Sequence, residues 1–110
     1  MNPIYFTVTG TNYYYGNEYF KPEMKLQLIK EPDNKVDKEA IRVELEGLGK
    51  VGYVANSPHS VVGNSYSAGR LYDKIGEAAE GKVLYVLPQG VLCTLLQGEE
   101  GEKQEQGEKV

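Results

Sequence analysis

The sequence has 110 residues, 40% of them hydrophobic and 25% charged, which suits one globular domain. Its net charge of −4 excludes a strongly basic nucleic-acid-binding domain. No apolar run approaches the roughly 18 residues that cross a bilayer, and neither a secretory signal nor a membrane partner is predicted, so the expected location is the cytoplasm. The single cysteine and the single histidine, Cys93 and His59, leave no disulfide and no zinc cluster, and we expect no metal or other cofactor.

The acidic character is concentrated at the C-terminus. Residues 97–110 contain five glutamates, two lysines and a single apolar side chain, Val110. Such a segment cannot bury enough apolar surface to offset the entropy lost on ordering, so we predict a disordered acidic tail here. The domain itself is predicted to occupy residues 1–96. Because this body is nearly neutral, a local patch would have to hold any anionic partner.

Six segments show the β-branched, aromatic or alternating pattern of strands, and glycines, prolines or asparagines lie between most of them. In chain order they are 4–9, 24–30, 40–45, 50–54, 82–87 and 91–96. The last two flank Pro88-Gln89-Gly90, which predicts a hairpin with a short loop. The pattern favours a small, mostly-β barrel.

Two short helices are predicted between the fourth and the fifth strand. Ser57 is a favoured N-cap residue and Pro58 occupies the first helical position, while Gly63 ends this helix early. The second helix is predicted over residues 68–75, with Gly76 as its stop signal.

The densest cluster of aromatic residues is Tyr13-Tyr14-Tyr15, between Gly10 and Gly16. Neighbours in an extended chain point to opposite sides, so these three rings cannot all face a core. Exposed tyrosines can stack on nucleobases. The alternative is that one or two pack under a loop while the rest form an amphipathic surface.

A second cluster of polar residues lies in the segment 31–43. Asn34 and Asp37 are residues that commonly bond their own backbone in turns, and this structural role is one interpretation. The other is that a fixed aspartate beside a groove accepts a hydrogen bond from a ligand hydroxyl.

Taken together, these segments closely resemble the HIRAN domain. The matching patterns are apolar-Thr-Gly-x-x-Tyr-Tyr, then Glu-Pro-Asp-Asn-x-x-Asp-x-x-Ala-Ile-x-Val, then Val51-Gly52-Tyr53-Val54. The resemblance extends over residues 4–96. It implies an OB-like barrel that binds nucleic acid and holds the 3′-hydroxyl end of single-stranded DNA, as in proteins of DNA repair and fork processing.

The resemblance also implies roles for individual residues. Tyr13 and Tyr14 match the paired tyrosines that line the DNA groove. Asn34 matches an asparagine that contacts the ligand, and Asp37 matches the aspartate that accepts from the terminal 3′-hydroxyl.

Four positions depart from the family pattern. Asn12 replaces a phosphate-binding arginine, Val36 an aromatic residue, Tyr53 a histidine and Asn56 a lysine. The stacking surface and the hydroxyl acceptor are therefore present, whereas much of the phosphate clamp is missing. Because phosphate contacts supply much of the affinity for nucleic acid, we expect these losses to weaken binding first.

Basic residues of the second predicted helix offer a partial substitute. Arg70 and Lys74 lie four residues apart and could form a basic spot at the rim of the groove, or only a solvated face. Lys35 and Lys38 are further candidates. The predicted nucleic-acid-binding residues are thus Asn12, Tyr13, Tyr14, Asn34, Asp37, Tyr53, Arg70 and Lys74.

The sequence has no phosphate-binding loop, nucleophile elbow or paired histidines, so a non-catalytic function is predicted. The expected partner is single-stranded DNA, held at its 3′ end. A protein-interaction module that uses the same groove, or an exposed strand edge, is the alternative. The nearly neutral body and the missing arginine favour this alternative.

Overall fold

Six antiparallel strands close into a barrel in the computed structural model, which describes residues 3–96. The strands are β1 (Tyr5–Thr9), β2 (Lys25–Lys30), β3 (Ile41–Leu45), β4 (Gly49–Val54), β5 (Ala78–Leu87) and β6 (Gly90–Leu96). Their order around the barrel is β1-β4-β3-β2-β5-β6, and β6 pairs with β1. This architecture confirms the predicted mostly-β, OB-like fold. The predicted acidic tail, 97–110, lies outside the described residues.

The barrel interior is filled by alternate residues of the strands. In β3, Ile41, Val43 and Leu45 are buried while the two residues between them are partly exposed, as the sequence alternation predicts. Leu26 and Leu28 of β2 contribute in the same way. The core is aliphatic with two phenylalanines, and its largest fully buried side chains are Phe6, Leu26, Leu28, Ile41 and Leu71.

Strand β1 closes the barrel between β4 and β6. It pairs with β6 through Phe6 opposite Cys93, and with β4 through Val8 opposite Val54. The approach to β4 is close at Gly52, where an added Cβ would lie 2.7 Å from the carbonyl oxygen of Thr9. Glycine is therefore required at this position for β1 and β4 to pair.

Strand β5 begins at Ala78, four residues before the position predicted from the sequence. The additional residues have weak strand propensity, and their pairing with β2 makes them a strand. Leu28 lies opposite Ala79, and Leu26 lies opposite Gly81. Tertiary pairing thus overrides local preference in this segment.

The first predicted helix, after Ser57, is wrong: residues 57–63 form turns. Ser57 does act locally as expected, because its Oγ accepts a hydrogen bond from the His59 amide at 3.0 Å. The helix does not continue because the Val62 amide donates instead to Oγ1 of Thr7 at 3.1 Å, and Gly63 adopts a φ of 55°.

The second predicted helix is confirmed but shorter, as α1 (Ala68–Tyr72). Its N-cap is Ser67, whose side chain accepts from the Arg70 amide at 3.3 Å. Residues 3–96 contain one further short helical segment, a 3-10 turn at Thr11–Tyr13. Among these described residues, no helix is long and apolar enough to cross a membrane.

Candidate nucleic-acid interface

A groove of about 350 Å³ lies where the β2–β3 loop meets strand β4. It is lined by Asn34, Val36, Asp37, Ala40, Tyr53 and Val54. The fold therefore brings together three of the predicted site residues, Asn34, Asp37 and Tyr53.

Asn34 holds the loop in shape from within. Its Oδ1 accepts hydrogen bonds from the amides of Val36 and Asp37, both at 2.9 Å. Its Nδ2 donates to Oε1 of Glu31 at 2.9 Å. These contacts confirm the turn role predicted from the sequence, and they fix the position of Asp37.

Both carboxylate oxygens of Asp37 are oriented by neighbouring donors. Oδ1 accepts from the Glu39 amide at 2.9 Å, and Oδ2 accepts from Nδ2 of Asn56 at 2.8 Å. Asn56 is itself held, because its Oδ1 accepts from the Gly69 amide in α1 at 2.8 Å. An ionised carboxylate has about four acceptor positions, so Asp37 keeps capacity for a ligand hydroxyl.

Glu31 is the centre of the hydrogen-bond network behind the groove. Its Oε1 accepts from Oη of Tyr53 at 3.0 Å as well as from Asn34, and its Oε2 lies 3.4 Å from Nη1 of Arg42. Burial alone would raise the pKa of Glu31, but the hydrogen bonds from Asn34 and Tyr53 and the charge on Lys50 outweigh it. Its pKa therefore lies below the ordinary value of 4.5.

Lys50 lies between two tyrosine rings at this network. Its Nζ donates to Oη of Tyr53 at 3.0 Å, and it lies 5.0 Å from the Tyr53 ring centroid and 5.7 Å from that of Tyr14. The hydrogen bond to Tyr53 is the main cause that raises the pKa of Lys50. The ammonium group therefore connects the groove to the tyrosine cluster.

The three consecutive tyrosines all reach solvent, with Tyr13 88%, Tyr14 38% and Tyr15 45% exposed. Tyr14 approaches Lys50, whereas Tyr15 packs edge-on against Tyr19 with the ring centroids 5.7 Å apart. All three rings therefore have exposed surface, and one of them also packs against a neighbouring ring. Tyr13 and Tyr14 are both accessible to a ligand.

The remaining predicted residues are less closely tied to the groove. Asn12 is exposed in the turn beside Tyr13. Arg70 lies in α1 next to Gly69, and its guanidinium covers the ring of Tyr66 at 3.9 Å. Lys74 falls outside the helix, which ends at Tyr72, so the predicted pair of basic residues on one helix is wrong.

Two site residues, Glu31 and Lys50, were not predicted. Glu31 opens the Glu-Pro-Asp-Asn motif, and this was the available signal for it. Lys50 gives no local signal, because its place depends on the β3–β4 register, in which Glu44 lies opposite Lys50 and Arg42 opposite Tyr53.

The residues that could hold a metal do not converge in the part of the chain that the structure describes. No group of three or more His, Cys, Asp or Glu side chains has a suitable arrangement within residues 3–96. Cys93 is fully buried in β6, and burial raises the pKa of its thiol.

The described residues thus form a closed β-barrel with a mainly apolar groove, which carries the polar side chains of Asn34 and Asp37, beside exposed tyrosines and a lysine. The family model of the HIRAN domain matches residues 1–71, a range that contains the groove and the tyrosine cluster. The chain therefore belongs to the HIRAN domain family. HIRAN domains are in general DNA-binding modules, and the domain on its own is a binding module rather than a catalytic one. No curated protein and no solved structure matches the chain.

Proposed function

We propose that this HIRAN domain binds the 3′-hydroxyl end of single-stranded DNA without catalysing a reaction. The observation that carries the proposal is the Asp37 carboxylate, held at the wall of a 350 Å³ groove by the Glu39 amide and the Asn56 side chain. A carboxylate fixed in this way accepts a hydrogen bond from a terminal hydroxyl at little cost in ordering, because its orientation is already set.

The tyrosines supply a surface for the bases of the strand. Tyr13 and Tyr14 are exposed, and Tyr14 is linked to the groove through Lys50. Stacking of a base on an aromatic side chain contributes about 1–3 kcal/mol and tolerates any base. The arrangement therefore favours recognition of a strand end rather than of a particular sequence.

A peptide added to a strand edge finds no support in this fold. Each of the six strands has two neighbours in the closed barrel, so β-augmentation has no edge strand to extend. The alternative function that experiment must still test is the binding of a peptide in the groove itself.

The proposal is tested by fluorescence polarisation with a short, 5′-labelled single strand that ends in a 3′-hydroxyl or in a 3′-phosphate. We expect the hydroxyl end to bind about tenfold more tightly at low salt, since a hydrogen bond to a charged acceptor contributes about 1.5–3 kcal/mol. Equal affinity for both ends would contradict end recognition. Absence of binding to either would contradict nucleic-acid binding and favour a protein partner.

The Asp37→Ala variant tests whether Asp37 accepts the hydrogen bond from the 3′-hydroxyl. This variant is expected to lose the discrimination between the two ends while it still binds single strands through the tyrosines. Asp33→Ala is the matched control, because it removes the same charge from the same loop at a residue that does not line the groove. Discrimination that survives in Asp37→Ala, or that disappears equally in Asp33→Ala, would show that the role given to Asp37 is wrong.

A further inference from the structure

The groove lacks the cations that the family pattern places at positions 12 and 56, where this chain has two asparagines. A bound strand nevertheless carries one negative charge per phosphate, and its affinity depends on neutralising some of that charge. The question is therefore which cation of the described residues can take this role.

Lys50 has the geometry that this role requires. Its Nζ donates one hydrogen bond, to Oη of Tyr53 at 3.0 Å, and an ammonium group has three donors. The nearest carboxylate oxygen, Oε2 of Glu31, lies 3.9 Å away, which is too long for a hydrogen bond. The Lys50 side chain is 36% exposed. It therefore presents donors to solvent beside the rings of Tyr14 and Tyr53.

Two cations of the neighbouring strands β2 and β3 are more firmly engaged. Arg42 donates from Nε to Glu44 at 2.6 Å and from Nη1 to Glu31 at 3.4 Å. Lys30 donates from Nζ to the carbonyl oxygen of Ile75 at 2.9 Å and lies over the ring of Tyr72. A phosphate that recruited either side chain would have to break these contacts.

Movement of Lys50 toward a ligand leaves the network behind the groove intact. Glu31 keeps its hydrogen bonds from Tyr53, Asn34 and Arg42 when the more distant ammonium group shifts. The partly buried carboxylate is thus still paired, and the penalty of an uncompensated charge does not arise.

We infer that Lys50 contacts the phosphate of the last phosphodiester linkage of a bound strand. The inference rests on the proposed function and deepens it. Tyr53 lines the groove together with Asp37, and the same Tyr53 hydroxyl accepts from Lys50. A terminal sugar at Asp37 therefore directs its own 5′-phosphate past Tyr53 to the ammonium group, between the groove and Tyr14.

A double-mutant cycle with modified DNA tests this contact. One partner of the cycle is Lys50→Gln, and the other is a strand in which an uncharged methylphosphonate replaces the last linkage. We expect Lys50→Gln to weaken binding of the natural strand about five- to tenfold and to lower the salt dependence by about 0.7 in log–log slope. The same variant is expected to bind the methylphosphonate strand as well as the unmodified protein does.

Three controls separate a phosphate contact from a structural effect. Lys50→Arg is expected to retain the salt dependence, because it retains the charge. Lys25→Gln removes an exposed lysine at the start of β2 and should behave like the unmodified protein. Methylphosphonates at the second and third linkages should weaken the unmodified protein and Lys50→Gln equally.

The outcomes also distinguish this inference from the proposed function. If Lys50→Gln loses as much affinity for the methylphosphonate strand as for the natural one, or if coupling appears at another linkage, the assignment of Lys50 is overturned while end recognition stands. If the unmodified protein binds no single strand, both the assignment and the proposed function fail.

Discussion

Asn56 donates a hydrogen bond from Nδ2 to Oδ2 of Asp37 at 2.8 Å, and this contact joins the end of β4 to the β2–β3 loop. The other side of the same amide accepts from the Gly69 amide at 2.8 Å. One neutral side chain thus ties three segments together at the groove. It orients Asp37 through a hydrogen bond that adds no charge to the groove.

Asn56→Lys should restore a cation that the family pattern has at this position. We expect tighter binding of single strands and a salt dependence steeper by about 0.7 in log–log slope, because one more phosphate is neutralised. The measurement is fluorescence polarisation over a series of salt concentrations. Gln89→Lys is the control, because it adds the same charge outside the groove, in the turn between β5 and β6. An equal change in both variants would show only a general charge effect.

Tyr13→Ala should weaken the binding of single strands while it leaves the stability of the fold almost unchanged. The ring is 88% exposed, so its removal is expected to change the free energy of unfolding by no more than about 0.5 kcal/mol. The same change should weaken single-strand binding by about 1–3 kcal/mol, because one stacking surface is lost. Urea unfolding and fluorescence polarisation measure the two effects. Tyr85→Ala is the control, because Tyr85 is an exposed tyrosine of β5, and an equal loss of affinity there would contradict a specific role for Tyr13.

Glu31→Gln should change how stability depends on pH. The pKa of Glu31 is lowered in the folded protein from its ordinary value of 4.5, so the carboxylate stabilises the fold above that value. This contribution is lost as the pH falls through the lowered, folded-state pKa. We therefore expect Glu31→Gln to be less stable than the unmodified protein at pH 7, by about 1–3 kcal/mol, and the difference to shrink in acid.

Urea unfolding at several pH values between 7 and 3 measures this difference. Glu46→Gln is the matched control, because Glu46 is exposed in the β3–β4 turn and its replacement should give a small difference at every pH. A constant gap between Glu31→Gln and the unmodified protein would mean that the ionised form of Glu31 is not the stabilising one.

Gly52→Ala should destabilise the closure of the barrel. The added Cβ would lie 2.7 Å from the Thr9 carbonyl oxygen and 3.0 Å from Cγ1 of Val8, so β1 must move away from β4. We expect a loss of about 1–3 kcal/mol in the free energy of unfolding, measured in urea. Gly76→Ala meets no atom within 4 Å and should leave stability unchanged. Similar stability of the two variants would contradict the close approach of β1 and β4.

Local alternation was enough to predict most of the barrel. The pattern of β3 is visible in the sequence because Ile41, Val43 and Leu45 alternate with polar residues, and each faces the core. Where the outcome depended on distant partners, sequence reasoning failed. The start of β5 at Ala78 is defined by pairing with β2. The predicted first helix does not form because the Val62 amide donates to the hydroxyl of Thr7 instead of to a helical carbonyl.

The same contrast between local sequence patterns and distant contacts applies to the candidate site. Asn34 and Asp37 lie in one turn motif, so the sequence could place them together. The interaction of Lys50 with Tyr53 and Glu31 depends on the β3–β4 register and on the position of the β2–β3 loop beside β4. Neither has a local signature in the sequence. Lys74 was misplaced because α1 ends at Tyr72, before the end at residue 75 that the stop signal Gly76 predicted.

The pairing of the first described strand with the last has a consequence for folding. Phe6 and Cys93 are partners across β1 and β6, whereas β2, β3 and β4 are neighbours in both sequence and space. Contacts between distant residues form late, because a long loop must first be closed at a cost in entropy. The meander that carries Glu31 and Tyr53 can therefore assemble first. Its meeting with Tyr14 waits until β1 docks beside β4, so the ligand site is completed only after the strands that carry its polar residues have assembled.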